Sequence, residues 1–164
     1  MADITDPENT LLLETSRGPV VIAMRPDLAP GHVAQIKRLA RDGFYDGIKF
    51  HRVIEGFMAQ TGDPNSRSGA AHSWGTGGSG KRLKAEFSSE KHVRGTASMA
   101  RSQDPNSGDS QFFICFADVP FLNRQYTVWG QVIEGMENVD AIARGEPPRQ
   151  PDSIVSMRVA ADSE

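Results

Sequence analysis

The chain reads as a mainly-β protein, an antiparallel barrel or sandwich with two isolated helices. Short segments rich in β-branched, aliphatic and aromatic residues recur along its 164 residues, with glycine-bearing turns between them. Only two stretches carry helical spacing, and they do not alternate with the strands as a βαβ architecture would require. No internal repeat or composition break divides the chain. One domain over residues 10–160 is therefore expected, with loosely ordered ends at 1–9 and 161–164. Periodicity alone does not choose between barrel and sandwich.

Taken in order, Thr10 to Thr15 and Pro19 to Met24 are expected strands, joined at Ser16-Arg17-Gly18, where glycine supplies a positive φ for the turn. Pro30 to Asp42 is expected to be helical: proline suits its first position, Gly43 its C-terminal cap, and Val33, Ile36, Leu39 and Ala40 form an apolar stripe. Strands over Ile48 to Ile54 and Met58 to Thr61 flank a Glu55-Gly56 turn. From Gly62 to Lys84 the periodicity vanishes, and glycine, serine and basic residues predict a long surface loop of the kind that tends to carry function. Gly95 to Ala100, Gln111 to Phe116 and Thr127 to Ile133 resume the strand pattern. A short helix from Met136 to Ala143, a connector with Pro147, Pro148 and Pro151, and a last strand from Ile154 to Ala160 follow.

Composition bounds the function. Hydrophobic residues at 38% and charged residues at 24% describe an ordinary globule, and 16 glycines imply many tight turns. A chain of this size buries about two-thirds of its unfolded surface without disulfides or metal. A net charge of -3 supplies no basic stripe, so nucleic acid is not an expected partner. Cys115, the single cysteine, excludes an intrachain disulfide and a multi-cysteine metal site. The segment Met1 to Asn9 is acidic and polar, unlike a secretory signal, and no apolar run approaches the roughly 20 residues of a membrane span. A cytoplasmic, monomeric protein without membrane contact is the expectation.

The chemistry concentrates in two runs, Phe50 to Gln60 and Ser110 to Phe116. Alternation places His51 and Val53 on one face and Phe50, Arg52 and Ile54 on the other, so that Arg52 faces outward if Val53 faces the core. Met58 and Gln60 share a face of the next strand, and Gln111 and Phe113 share a face of another. The result is an apolar pocket with a cation at its rim and no acid–base pair or activated nucleophile. Rotation about the peptide bond before proline suits such a pocket, since no covalent bond is made or broken. The plainer alternative is a solvated surface arginine beside ordinary core residues Phe57, Met58 and Phe113. His32, His51, His72 and His92 lack metal-ligand spacing and read as structural, as does Cys115. Gly75 to Lys81 matches the glycine–lysine part of a phosphate loop, but Arg82 stands where a magnesium-binding hydroxyl would, and Gly69 to Trp74 is not strand-like. Nucleotide binding is therefore disfavoured.

The run Phe50 to Gln60, followed by Gly62-Asp63, resembles the cyclophilins, the family of peptidyl-prolyl cis-trans isomerases. The resemblance continues at Gly75 to Gly78, Ser98-Met99-Ala100, Ser110 to Cys115, Phe121-Leu122 and Gly130 to Met136, and covers about Leu12 to Ala160. It implies an eight-stranded closed antiparallel barrel capped by two helices, no cofactor, and a site on the barrel's outer face for proline-containing peptides and folding proteins. Position by position, it implies Arg52 as the catalytic arginine, with Gln60 and Phe113 beside it. Phe57, Met58, Phe113 and Leu122 match the floor of the proline pocket, while Gln60 and Gln111 match residues that hold substrate backbone and position the arginine. Ala100, Arg101 and Ser102 match the segment that pairs with an extended peptide, and Gly75, Phe121 and Tyr126 complete the binding set. Arg101 stands where many eukaryotic members carry asparagine, and the loop from Ser102 to Asp109 is one residue longer. Phe121 and Tyr126 replace their tryptophan and histidine, as in bacterial members, which implies weak binding of cyclosporin. A proline-peptide binding module or chaperone with incidental catalysis is the competing reading. The intact set Arg52, Phe57, Gln60 and Phe113 favours the enzyme.

Overall fold

The structure, a computed structural model, describes residues 6–68 and 73–163; the expectations for residues 1–5, for Gly69 to His72 and for Glu164 lie outside them. Eight strands form a single antiparallel sheet: β1 (Thr10–Thr15), β2 (Gly18–Met24), β3 (Arg52–Ile54), β4 (Met58–Thr61), β5 (Thr96–Met99), β6 (Phe112–Cys115), β7 (Val128–Glu134) and β8 (Ile154–Val159). They lie in the order β3-β4-β6-β5-β7-β2-β1-β8, and the sheet curls around a core that includes Leu11, Ile22, Phe50, Phe112 and Trp129.

Closure of the barrel differs from the expectation. β3 and β8 end the sheet without a shared ladder, leaving a curled, incompletely closed barrel whose seam is stitched by single bonds. Phe50 N–H donates to the Asp152 carbonyl at 2.9 Å, Ile154 N–H to the Ile48 carbonyl at 2.7 Å, and Val53 N–H to the Gly145 carbonyl at 2.8 Å. The cause is the shortness of β3: among residues 48–51, expected to extend it, Ile48 and Phe50 turn their main chain to this seam, while the Lys49 N–H donates to Ser66 Oγ and its carbonyl accepts from Thr61 Oγ1. The side-chain alternation therefore starts at Arg52. Phe50, expected beside Arg52, is fully buried in the barrel core.

Helix α1 (Pro30–Arg41) packs on β8, burying Val33, Ile36, Leu39 and Ala40 as its spacing predicts. Its N-cap, Ala29, has no capping side chain. The Glu86 carboxylate takes that place, accepting the N–H groups of Gly31 at 3.1 Å and His32 at 2.8 Å and so satisfying two orphan donors from 54 or more residues away. Helix α2 (Met136–Asp140) packs on β2 and is shorter than expected. The Arg144 guanidinium accounts for its end, donating to the carbonyls of Asp140 at 2.7 Å and Ile142 at 2.6 Å. The described parts of the two termini form 3₁₀ turns at Pro7–Asn9 and Ala160–Ser163, and Arg41 of α1 pairs with both Glu8 and Asp162.

Candidate functional site

Sheet register builds the site. Arg52 pairs with Gln60, Gln60 with Phe113, and Phe113 with Ser98, so that one row crosses β3, β4, β6 and β5. Two residues along, Ile54, Met58 and Cys115 form a second row on the same face. That face is external, because Val53, Ala59 and Ile114 point into the barrel core. A separate apolar cluster of Met58, Phe113, Cys115, Val119 and Leu122 covers it, with Phe57, Ala100 and Tyr126 packed at its margin. β6 is thus buried on both faces, one by the core and one by the site.

A cleft of about 460 Å³ opens over this cluster. Phe57, Met58, Phe113, Leu122 and Tyr126 supply its apolar lining, and Arg52, Gln60, Gly75, Ala100 and Arg101 also line it. The Phe113 ring is stacked on buried His92, centroids 6.2 Å apart, and meets the edge of Tyr126 at 5.6 Å. His92 Nε2 lies 2.9 Å from Ser98 Oγ, which donates onward to the Thr127 carbonyl at 3.0 Å. Burial holds the His92 ring below the usual histidine range, which favours the neutral form beneath the aromatic floor.

A chain of side-chain amides sets the cation in place. Gln111 Nε2 donates to the Gly77 carbonyl at 2.9 Å, Gln60 Nε2 to Gln111 Oε1 at 3.0 Å, and Arg52 Nη1 to Gln60 Oε1 at 3.4 Å. Each end dictates the orientation of the chain: a carbonyl only accepts, a guanidinium only donates, and both amides must run from one to the other. Glu146 Oε1 receives Arg52 Nε at 3.2 Å. Nη2 makes no hydrogen bond among the described residues, and the side chain is 44% exposed. It is a fixed cation with donor capacity turned to the cleft.

The remaining expected residues fall close by. Ala100 N–H is tied to the Gln111 carbonyl at 2.9 Å. Arg101 lies 4.8 Å over the Tyr126 ring and donates to the carbonyls of Gln125, Ser102 and Gln103. Ser102 and Gln111 line a smaller adjoining cavity of about 240 Å³ instead of the main cleft. Phe121 lines neither cavity: it is 68% exposed, its ring 5.6 Å from that of Phe57. Four cleft residues were not anticipated, namely His51, Trp74, Glu146 and Pro147. His51 had been placed inward by an alternation that does not extend to it. Trp74 offered one signal, an aromatic ring in a glycine–serine loop. Glu146 offered none, because only the contact of Gly145 with Val53 brings it to Arg52.

The loop from Gly75 to Gly80 is occupied by the protein's own acids. Asp63, fully buried, accepts the N–H groups of Gly75 and Thr76, while Asp109 accepts those of Ser79 and Gly80, each at 3.0 Å. A side chain on Gly77 or Gly78 would collide with these carboxylates. Four of the main-chain donors that a phosphate loop would turn to its ligand, those of Gly75, Thr76, Ser79 and Gly80, are thereby already engaged by negative groups. Cys115 is equally unsuited to nucleophilic chemistry, since burial pushes its thiol up to about 12.

Known proteins show the same arrangement of chain. The family model for cyclophilin-type peptidyl-prolyl cis-trans isomerases matches residues 10–159. A probable peptidyl-prolyl cis-trans isomerase of Brucella suis is 53% identical over 99% of this chain and 88% of its own length. A peptidyl-prolyl cis-trans isomerase of Synechococcus elongatus is 38% identical over 93% of this chain and 97% of its own. Among solved structures, a cyclophilin from Hirschia baltica covers 97% of this chain and 76% of its own at a TM-score of 0.86 and 33% identity. A cyclophilin-type isomerase of Cryptosporidium parvum, crystallised in the presence of the dipeptide Ala-Pro, covers 92% and 98% at a TM-score of 0.82 and 27% identity. Sequence and fold agree along nearly the whole chain, which belongs to the family of cyclophilin-type peptidyl-prolyl cis-trans isomerases.

Proposed function

We propose that this protein accelerates cis–trans rotation of Xaa-Pro bonds in peptides and folding proteins, acting as a cytoplasmic monomer, with Arg52 as the donor that stabilises the twisted amide. The observation that carries this reading is the placement of a fixed, half-exposed guanidinium in one row with Phe113, at the rim of an apolar cleft. The prolyl amide resists twisting by about 18–20 kcal/mol. At about 19 kcal/mol the uncatalysed rate is roughly 0.07 per second, so reaching about 1,000 per second requires roughly 6 kcal/mol of preferential stabilisation.

As the amide twists, its nitrogen becomes pyramidal and its lone pair can accept a hydrogen bond. A charge-assisted hydrogen bond from Arg52 contributes about 1.5–3 kcal/mol. Phe57, Met58, Phe113 and Leu122 supply the remainder by clamping the pyrrolidine ring while the preceding carbonyl swings, in surroundings of low polarity that strengthen the donor's pull. An equal grip on cis and trans ground states would accelerate nothing, so the twisted form must be held most tightly. Gln60 and Gln111 hold the guanidinium in position and present polar atoms to the substrate backbone. Rotation makes and breaks no covalent bond, so this reading requires neither cofactor nor metal. Weak cyclosporin binding belongs to the same reading, through Phe121.

NMR exchange spectroscopy on an Ala-Pro-containing peptide, with catalytic amounts of protein, tests it. Cis–trans exchange should accelerate by orders of magnitude. A peptide that shifts the resonances of Phe113 and Tyr126 while its exchange rate stays at the uncatalysed value would make the protein a binding module instead.

A further inference from the structure

The cavity of about 240 Å³ beside the proline cleft shares Gln60, Gly75, Ala100 and Arg101 with it, so one extended peptide can occupy both. Its charge is unevenly distributed. Arg82 lines it with a side chain 68% exposed, and its nearest acid, Asp104, stands 3.6 Å away and is itself 52% exposed. Arg101 is held by three neutral carbonyls at 2.8, 3.0 and 3.2 Å and forms no ion pair among the described residues. Asp109, the acid on the cavity wall, spends its oxygens on the N–H groups of Ser79 and Gly80 at 3.0 Å and on Gln35 Nε2 at 3.3 Å. Among the described residues that line the cavity two are arginines, Arg82 with an exposed side chain, while the one acid, Asp109, is already hydrogen-bonded to the protein.

The main chain sets which peptide residue arrives there. From Ala100 to Ser102 the protein runs from the proline cleft into the second cavity. A peptide lying antiparallel to this segment, the commoner strand pairing, enters through the second cavity and reaches the cleft later in its own sequence. Side chains of an extended peptide return to the same face every second residue. With proline in the cleft, the side chain in the second cavity belongs to the residue two positions earlier.

We infer that this protein prefers substrates carrying an acidic residue two positions before the proline, recognised by Arg82 and Arg101. The inference rests on the isomerase reading and on the proline occupying the cleft. Three peptides that differ only at that position, with Glu-Ala-Pro, Gln-Ala-Pro and Lys-Ala-Pro cores, provide the test. Their kcat/KM values are measured by exchange spectroscopy and their affinities by NMR titration, at low and high salt. The glutamate peptide should exceed the glutamine peptide by about three- to tenfold and the lysine peptide should fall below it, a spread that narrows as salt screens the partly exposed pairs. Arg82→Glu should bring the glutamate-to-glutamine ratio to one or lower. Equal affinities for the three peptides, or a ratio untouched by Arg82→Glu, would overturn the inference while leaving isomerisation intact. Absence of turnover with all three would instead defeat the isomerase reading, and the affinity ratios would still decide the acidic preference.

Discussion

Replacing Phe113 separates the proline clamp from the fold that carries it. The ring is 4% exposed, stacked on His92 and edge-on to Tyr126, so Phe113→Ala removes contacts on two sides. A buried Phe→Ala change costs about 3–5 kcal/mol, and the lower part of that range applies because the ring borders an open cleft that water can enter. For a domain of this size each kcal/mol lowers Tm by about 2–4 °C, so a fall of roughly 6–16 °C is expected while the protein stays folded at room temperature. The floor's contribution to the twisted state is that of one well-buried apolar side chain, about 1.5–3 kcal/mol. That corresponds to roughly 10- to 150-fold in kcat/KM. Phe113→Leu, which keeps most of the apolar volume, should lose less of both. The assay is catalysed exchange at a temperature well below the melting transition of each variant. A folded Phe113→Ala protein with wild-type kcat/KM would refute the assignment of this cleft to proline.

Burial holds His32, His51 and His92 below the usual histidine range, with Glu86 partly offsetting the shift for His32. The unfolded chain therefore binds more protons, and stability should be complete above about pH 6.5 and fall as pH drops below it toward each lowered value; Tm measured from pH 8 to pH 5 checks this, and a Tm rising toward acid would contradict it. Because the proposed rotation exchanges no proton, kcat/KM should be nearly flat from about pH 7 to 9, and a steep sigmoid there would implicate proton transfer. Lys81→Ala should leave isomerisation unchanged and ATP should not raise Tm, since Asp63 and Asp109 occupy four of the loop's main-chain donors; an ATP-dependent shift lost in that variant would restore the nucleotide reading. Phe121→Trp should tighten cyclosporin binding by adding an indole donor worth about 0.5–1.5 kcal/mol, with peptide turnover changed only a few-fold, because Phe121 lies outside the cleft; calorimetry showing unchanged binding would refute the role given to this position.

Local spacing revealed the strands and the α1 stripe because each depends on neighbours in sequence. Arg52, Gln60 and Phe113 were also legible: a Glu55-Gly56 turn sets the register of β3 and β4, and alternation does the rest. The role of β6 was harder to read. Four successive buried residues, Phe112 to Cys115, look alike in sequence although two point into the barrel and two into the site. Alternation divides them into two pairs, and the resemblance to a family assigned the pair with Phe113 to the site. Glu146, Trp74 and the acids Asp63 and Asp109 could not be placed at all, since each acts through contacts made across loops. His51 and Phe50 were misplaced because the seam with residues 152–154, invisible to periodicity, ends β3 at Arg52.

In the proposed mechanism a fixed guanidinium stabilises a twisted amide without exchanging a proton. The most direct measurement is kcat/KM for cis–trans exchange of one prolyl peptide by wild type, Arg52→Ala and Arg52→Lys, with peptide affinity and Tm recorded in parallel. Arg52 is half exposed and paired only at its edges, so the alanine variant should keep its fold and much of its peptide affinity. Its kcat/KM should fall by about 2–4 kcal/mol of transition-state stabilisation, roughly 30- to 900-fold. The lysine variant should recover little, because a flexible ammonium lacks the planar fork that Gln60 and Glu146 orient. A folded Arg52→Ala protein that isomerises at close to the wild-type rate would contradict the account.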